Sequence, residues 1–291
     1  MGYKYIFDKK LKAIATLKSG EKITVNTEDA FRGLIKEEKN CTMENIESIL
    51  GLSNPLTGPI VVDKAEPGDW LEVQIDNIEC GPYGVSIIGS HFSIFGDKYK
   101  IQAKVVPIKN GVIDFNDKVK IKVNPMIGTI GTTPELDTPL STMPGIFGGN
   151  MDASSVSIGN KLYLPVFIYG AYLYLGDCHA IQGDGELVNP FEIPAKITLT
   201  LNVVKDKTSK GKWPRVISKD TIETIVSDRT FYFAAKEALN EMIKWLCEDY
   251  GFNSTEAAFL CGQVADARCC QIGNAYHTAR CVFPKKYIKN S

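Results

Sequence analysis

Histidine is scarce in this chain, with three residues among 291, and neither sign of charge is in excess. The 33 Lys and Arg residues and the 34 Asp and Glu residues leave a formal net charge of -1, so nothing predicts nucleic acid or an anionic membrane as a partner. No stretch approaches the roughly 18–20 apolar residues of a membrane-spanning helix. The N-terminal segment, residues 1–12, lacks the apolar core of an export signal. These absences predict a cytoplasmic protein that binds neither nucleic acid nor membrane.

Motifs of several common enzyme classes are also missing. There is no GxSxG sequence of a serine hydrolase, and no GxGxxG follows a predicted strand, which argues against a Rossmann fold. The eight cysteines include no CxxC pair, and no histidine follows at zinc-finger spacing, so we expect free thiols and no structural zinc. Cys178 and His179 are adjacent, and neighbours on a strand point to opposite faces, which disfavours a catalytic pair.

Apolar residues alternate with polar ones through much of the first 205 residues, which predicts short strands between Gly and Pro turns. The segment Tyr169-Gly170 lies between two apolar runs, at 162–168 and 171–175, and is typical of a hairpin turn. Two short helices are predicted at residues 26–31 and 42–50. Residues 1–205 should therefore form a β-rich body of sandwich or barrel type, which could comprise two β subdomains. The clearest strands are predicted at residues 70–76, 119–123 and 197–203.

The pattern changes after a charged spacer at residues 205–212. Six apolar residues that follow share one face of a helix, and Gly251 is a plausible end for it. Asn253 with Glu256 resembles a capping box that begins a second helix. Residues 206–291 are predicted to form an α+β subdomain, so that the fold class is α+β, predominantly β. The six apolar residues are Ala235, Ala238, Leu239, Met242, Ile243 and Leu246.

The densest group of reactive side chains lies in residues 176–186, GDCHAIQGDGE, with three carboxylates, an imidazole and an amide. Asp177 and His179 are two residues apart, so on an extended strand they reach one face and could ligate one metal or share a proton. Gln182, Asp184 and Glu186 repeat that spacing. A carboxylate with an imidazole suits a divalent cation, zinc more than calcium. The structural alternative is a Gly- and Asp-rich turn with a capping histidine.

Two further segments compete for a role in the site. In PGIFGGNMD, residues 144–152, Asn150 and Asp152 share one side of an extended chain, although a structural turn is the alternative. The uncharged residues 124–134 are rich in Gly and Thr, and their N–H groups could face a substrate oxygen, although a packed loop would have the same composition. His91 lies between apolar residues, which is more typical of a core or edge histidine than of a catalytic one.

Six motifs in order resemble those of the acetamidase/formamidase family. The resemblance implies hydrolysis of formamide or acetamide to ammonia and a carboxylate, a β-rich fold and a divalent metal, zinc or calcium. The sequence departs from the family pattern at 189–191 and 269–273, which bears on substrate choice more than on fold. The motifs occupy residues 27–33, 54–60 with 65–69, 125–131, 148–152, 163–166 and 176–186.

Spacing and resemblance together give the hypothesis of a metal-assisted linear amidase. Asp152, Asp177 and His179 would hold the metal, which would carry the attacking water and polarise the amide. Glu186 or Glu192 would take the proton from the water and return it to ammonia. Asp184 is a further candidate as catalytic residue or ligand. The residues predicted to bind substrate are Met126, Gly128, Thr129 and Gly131, as an acyl-pocket loop or oxyanion donors, with Asn150 and Gln182.

Two alternatives remain open from the sequence. One is a non-catalytic β-sandwich whose acidic loop holds a structural calcium, and the other is a hydrolase of another C–N bond, such as that of a cyclic amide. We also expect a homodimer, from the size of the chain and because an antiparallel sheet edge needs covering.

Overall fold

The computed structural model describes residues 3–205 and 211–288, which fold into two large β-sheets with three α-helices among them. The helices are α1 (Met43–Gly51), α2 (Phe231–Tyr250) and α3 (Ser254–Val264), and short 3-10 helices occupy Glu38–Asn40, Gly96–Lys98 and Lys285–Tyr287. The strands are β1 (Ala15–Leu17), β2 (Glu21–Thr27), β3 (Leu56–Val62), β4 (Trp70–Cys80), β5 (Tyr83–Ile88), β6 (Gln102–Lys109), β7 (Val112–Asp114), β8 (Lys120–Lys122), β9 (Met126–Gly131), β10 (Pro144–Gly145), β11 (Gly148–Asn150), β12 (Lys161–Pro165), β13 (Leu173–His179), β14 (Glu192–Ile193), β15 (Ala195–Val204), β16 (Arg215–Ile217), β17 (Thr221–Asp228), β18 (Asp266–Gln271) and β19 (His277–Pro284).

The first sheet has 11 strands, with the order β10-β11-β9-β13-β14-β5-β6-β7-β8 and with β3 and β1 branching from β13. The second has eight, in the order β18-β19-β17-β16-β12-β4-β15-β2. Pairing is antiparallel except between β1 and β3. The predicted class, α+β and predominantly β, is confirmed, and neither sheet closes into a barrel within the described residues.

The predicted hairpin at Tyr169-Gly170 is wrong, because the strands on either side belong to different sheets. β12 pairs with β4 and β16, whereas β13 pairs with β9, β14 and β3. The segment crosses from one sheet to the other, and Gly170 N donates to Ala65 O at 2.8 Å. β12 alternates buried and half-buried residues and β13 is buried throughout, so the apolar residues of the two strands form one nearly continuous run that hides the change of sheet.

The predicted helix at residues 26–31 is also wrong. β2 continues to Thr27, and Asp29 then ends the strand by accepting hydrogen bonds from the backbone N–H groups of Phe31 and Gly33, at 2.9 and 3.0 Å. A side-chain acceptor of this kind favours a turn over a helix. The second predicted helix is confirmed as α1, where Thr42 Oγ1 accepts from Asn45 N.

Helix α2 is confirmed, but its buried face is rotated from the predicted one. Leu239 is 37% exposed, while Glu241 is 1% exposed on the inner face. Glu241 can lie there because it accepts hydrogen bonds from Lys212 N and Lys244 Nζ. Gly251 ends the helix in the left-handed conformation at φ 71°, as predicted. The cap of α3 is also confirmed, with Asn253 Oδ1 accepting from Glu256 N at 2.9 Å.

The second sheet runs across the predicted domain boundary, because β16 pairs with β12 of the body. The C-terminal helices nonetheless share a separate apolar cluster with β17 and β19, around Met242, Trp245 and Phe283. The division at residue 205 stays a prediction, and residues 206–210 of the spacer lie outside the described residues. Within the described residues, every helix is too short or too polar to traverse a lipid bilayer.

Candidate active site

Four neighbouring strands of the first sheet carry the candidate site. In their register Asn150 of β11 lies beside Thr129 of β9, Thr129 beside Gly176 of β13, and His179 of β13 beside Glu192 of β14. Residues from four separate segments therefore meet at one place on the sheet. Asp177 lies between two residues of β13 that pair with β9, Gly176 and Cys178. Asp152 lies two residues after the end of β11, and its N–H donates to Gly128 O.

Three acidic residues of the site have left-handed backbone conformations: Asp152 at φ 49°, Asp177 at φ 56° and Glu186 at φ 45°. Such conformations cost about 1–3 kcal/mol each for residues other than glycine and concentrate at functional sites. Ten non-glycine residues of the described chain have positive φ, and five of them line one cavity. The other two of those five are Asn54, at φ 55°, and His91, at φ 70°.

Asp152, Asp177 and His179 form a buried cluster in which one ligand atom of each lies within 4.8 Å of the others. His179 Nε2 is 3.6 Å from Asp177 Oδ1 and 3.3 Å from Glu192 Oε1. Glu186 joins them: the residue is half-buried, its carboxylate interacts with Asp152, and its Oε2 atom is buried. Four carboxylates and one imidazole thus share a volume from which water is largely excluded.

Gln182 sets the orientation of His179. Gln182 Nε2 donates to the backbone oxygens of Asp152 and Cys270, at 2.7 and 3.1 Å, so its Oε1 is left to face His179 Nδ1 at 2.8 Å. An amide oxygen only accepts, so Nδ1 carries the proton and donates. Neutral His179 would then direct the lone pair of Nε2 to a cation held among the carboxylates.

Burial and mutual repulsion disfavour ionisation of these carboxyl groups. Burial raises the pKa of Asp152 well above its usual range, and Glu186 and Asp177 add to the rise. Burial likewise raises the pKa of Glu186 and that of Glu192 to about 8 each, against the opposing effect of His179. Burial alone would lower the pKa of His179, but Glu192 and Asp177 together raise it. The cluster therefore carries more potential negative charge than its surroundings neutralise.

The residues present fit a divalent cation. Both carboxylate oxygens of Asp152, and one oxygen each of Glu186 and Glu192, are buried without a hydrogen-bond partner among the described residues. Buried acceptors in this state are costly unless something with positive charge satisfies them. Asp152, Asp177 and His179 could hold such an ion, and two oxygens with one imidazole nitrogen suit zinc better than calcium.

The four carboxylates of the cluster line a cavity of about 160 Å³, whereas His179 is 1% exposed and lies outside that lining. Asn150, Asp152, Asp177, Glu186 and Glu192 were predicted to be in the site and line the cavity. Other parts of the chain complete the lining, including the C-terminal segment, which contributes Gly273 and Asn274. The lining residues outside the set predicted for the site are Ala30, Phe31, Ile49, Leu50, Ser53, Asn54, His91, Phe92, Ser93, Thr142, Asn189, Gly273 and Asn274.

Several predicted site residues lie elsewhere. Asp184 is held by Arg280 Nη2 at 2.8 Å and faces a neighbouring cleft of about 740 Å³, so it is paired and outside the cavity lining. Met126 is 1% exposed in the core beneath. At Gly131 an added Cβ would lie 2.7 Å from Phe147 O, so close packing accounts for this glycine. The structure brings neither Met126 nor Gly131 to the cavity.

Thr129 and Gly128 lie behind the cavity wall. Thr129 Oγ1 is 2.7 Å from Asn150 Oδ1 and 2.9 Å from Asp177 Oδ2, so it supports two residues of the lining. Gly128 backs onto Asp152 and Asp177. Cys178 points away into the core, where Thr27 Oγ1 lies 3.6 Å from its Sγ, and burial raises its pKa to about 12.

His91 corrects the interpretation made from sequence. It is exposed in a turn that lines the cavity, instead of satisfied in the core or at a sheet edge. The signals that could have identified it are its rarity as a residue type and its place in the small-residue sequence Gly89-Ser90-His91. Asn54 opens one of the six motifs, but a left-handed conformation cannot be read from the identity of a residue.

The fold and the site define a β-rich protein with a buried carboxylate–histidine centre. The Acetamidase/Formamidase family matches residues 6–143 and 138–275, and the chain belongs to that family. The resemblance identified from the six motifs is thereby confirmed.

Solved structures of similar proteins cover nearly the whole chain. A predicted acetamidase/formamidase from Thermoanaerobacter tengcongensis has a TM-score of 0.91 and 33% identity, over 98% of this chain and 94% of that one. An acetamidase from Bacillus halodurans has a TM-score of 0.92 and 32% identity, over 98% of this chain and 96% of that one.

Among sequence relatives, a putative formamidase from Schizosaccharomyces pombe is 27% identical over 256 residues, 67% of this chain. That match spans 62% of the length of the yeast protein.

Proposed function

We propose that this chain hydrolyses small linear amides, formamide or acetamide, to ammonia and the corresponding carboxylate. The observation that carries the proposal is the group of buried, unpaired carboxylate oxygens beside His179 at the wall of a cavity. Curated and solved relatives are named formamidases and acetamidases, which supports an amide as the substrate. Assembly as a homodimer and a cytoplasmic location stay predictions.

A divalent cation held by Asp152, Asp177 and His179 is the second part of the proposal, with zinc favoured over calcium. Such an ion, when bound, polarises a carbonyl and lowers the pKa of a nearby water to about 7. The contribution of the chain is to keep the three ligands in place. Gln182 fixes His179, Thr129 supports Asp177, and the left-handed backbone at φ 49° places Asp152.

Glu186 is the better candidate for proton transfer, and Glu192 for positioning. Glu192 Oε1 accepts a hydrogen bond from Asn189 Nδ2 at 2.9 Å and lies 3.3 Å from His179 Nε2, so this carboxylate is already held in place beside the imidazole. Glu186 Oε2 has no partner among the described residues, and Glu186 lines the cavity. A carboxylate with a free oxygen can take a proton from the attacking water and give it to the departing ammonia.

The cavity supports a small substrate. Pockets for drug-sized ligands measure about 300–1,000 Å³, whereas this one is about 160 Å³. Phe31, Ile49 and Phe92 line its apolar part and leave room for an acyl group of only a few carbon atoms. We therefore expect activity to fall steeply as the acyl chain lengthens beyond acetamide.

The test is ammonia release from formamide, acetamide and propionamide by the purified chain and by Glu186→Gln. We expect turnover of at least one of the smaller amides by the wild type, and a loss of about 10²–10⁴-fold in the variant, as for removal of a general base. Glu135→Gln, at an exposed position, is the control and should match the wild type. Undetectable ammonia from all three amides would contradict the proposed function, and full activity in Glu186→Gln would contradict the role of that residue.

A further inference from the structure

The side-chain amide of Asn150 is held by its oxygen. Asn150 Oδ1 accepts a hydrogen bond from Asn54 Nδ2 at 3.2 Å, and Thr129 Oγ1 lies 2.7 Å from the same atom. Asn150 is 5% exposed and lines the cavity. Its NH₂ group has no hydrogen-bond partner among the described residues. Because an amide is planar, an oxygen fixed on one side leaves the NH₂ group directed elsewhere, as a donor available to a ligand.

Asn54 reaches Asn150 from a distant part of the chain, 96 residues earlier. It lies between α1 and β3, its N–H donates to Ala30 O at 3.0 Å, and its backbone is left-handed at φ 55°. Asn tolerates this conformation better than most residues, yet it remains less favourable than extended or helical backbone. The surrounding structure therefore keeps Asn54 in a strained conformation from which its amide meets Asn150.

A donor of this kind adds to what the cavity offers a substrate, even beside a bound cation. Its acidic residues offer oxygens, which accept hydrogen bonds and would repel an amide carbonyl oxygen as that oxygen gains negative charge. Asn189, another amide in the lining, is already committed, since its Nδ2 donates to Glu192 and its Oδ1 accepts from Ile87 N. The NH₂ group of Asn150 is not committed in this way.

We infer that Asn54 is a positioning residue, which fixes the amide of Asn150 so that its NH₂ group donates to the carbonyl oxygen of the bound amide. The inference rests on the proposed function for the identity of the ligand, a primary amide. In this inference Asn150 stabilises the developing oxyanion, and Asn54 fixes which way the oxygen and the NH₂ group of the Asn150 amide point.

Two substitutions separate this role from a structural one. Asn54→Gly keeps the left-handed backbone and removes the donor. Asn54→Asp keeps the size and also tolerates the backbone, but its carboxylate only accepts, so it would attract the NH₂ group of Asn150 away from the ligand. We expect kcat/KM for acetamide to fall by about 10- to 100-fold in Asn54→Gly, mostly in kcat, and further in Asn54→Asp. If Asn54 were merely structural, Asn54→Asp would keep wild-type activity.

Asn110 offers a matched control. It has a similar backbone conformation, φ 51°, but is exposed in the turn between β6 and β7. Asn110→Gly and Asn110→Asp should leave kcat and KM unchanged. Thermal unfolding of all four variants checks that each is folded at the assay temperature.

Infrared spectroscopy of bound [1-13C]acetamide tests the inference without turnover. In the metal-free wild type, a hydrogen bond from Asn150 should shift the carbonyl stretch to lower frequency, and the shift should shrink in Asn54→Gly and disappear in Asn54→Asp. An equal shift in wild type and Asn54→Asp, or no shift in the wild type, would overturn the inference even if ammonia is released. A shift lost in the variants, with no amide hydrolysed by the wild type, would support the inference and reject the proposed function.

Discussion

Gly128 lies directly behind Asp152 and Asp177, so Gly128→Ala perturbs the acidic cluster without removing a polar group. A Cβ there would lie 2.6 Å from Asp152 Oδ1, 2.8 Å from Asp177 O and 2.9 Å from Asp177 Oδ2. All three distances are shorter than an ordinary contact of 3.4 Å or more, so both residues would have to retreat by several tenths of an ångström. One of the three atoms is backbone within β13, which cannot move alone.

The expected magnitude follows from that displacement. Overpacking a close contact costs about 1–3 kcal/mol in the free energy of unfolding. Misplacing reacting groups by about 1 Å can cost roughly 100-fold in rate, so we expect kcat/KM for acetamide to fall by about 100-fold. Bound metal per chain should fall as well, because two proposed ligands move together.

The assay combines urea unfolding, metal content and ammonia release. Gly183→Ala is the matched control: it lies in the loop beside His179 and Glu186, and an added Cβ there has no atom within 4 Å. It should behave as the wild type. Wild-type kcat/KM and metal content in Gly128→Ala would refute the argument that these carboxylates form the working centre.

Two further predictions concern residues outside the cavity. Arg280→Met should lower the free energy of unfolding by about 3–5 kcal/mol, because it leaves Glu223, 4% exposed, without its cation. Urea unfolding measures this change. The control is Arg268→Met, which breaks an exposed ion pair on β18 and should change the free energy of unfolding little. Equal effects of the two substitutions would contradict the argument. Cys178→Ala should keep wild-type kcat/KM, since burial raises the pKa of that thiol to about 12 and its Sγ faces the core. Lost ammonia release from folded Cys178→Ala would show that the thiol acts in the reaction.

The local part of the site is predictable from spacing. Asp177 and His179 are two residues apart in one strand, and with Asp152 they form the buried cluster that could hold a metal ion. Glu192 joins through pairing of β14 with β13, a register that spacing along one strand does not contain. The family resemblance supplied that residue where local reasoning could not.

The rest of the site depends on distant contacts. Asp184 was predicted to act in the site because it continues the spacing of its neighbours, but Arg280, 96 residues later, pairs with it outside the cavity. Asn54 and His91 line the cavity, and both have left-handed backbone conformations that tertiary packing imposes. The fold shows the same limit, since alternation identified β4 and β15 but could not show that β12 and β13 lie in different sheets.

The most direct test of the account is ammonia release by metal-stripped protein as zinc is added back, with bound zinc measured in parallel. Calcium is titrated separately, and His179→Ala is treated in the same way. We expect the stripped wild type to be inactive and to regain acetamide or formamide hydrolysis in proportion to bound zinc, while His179→Ala binds zinc weakly and regains none. Full activity in the stripped wild type, or in His179→Ala, would contradict a metal centre built on Asp152, Asp177 and His179.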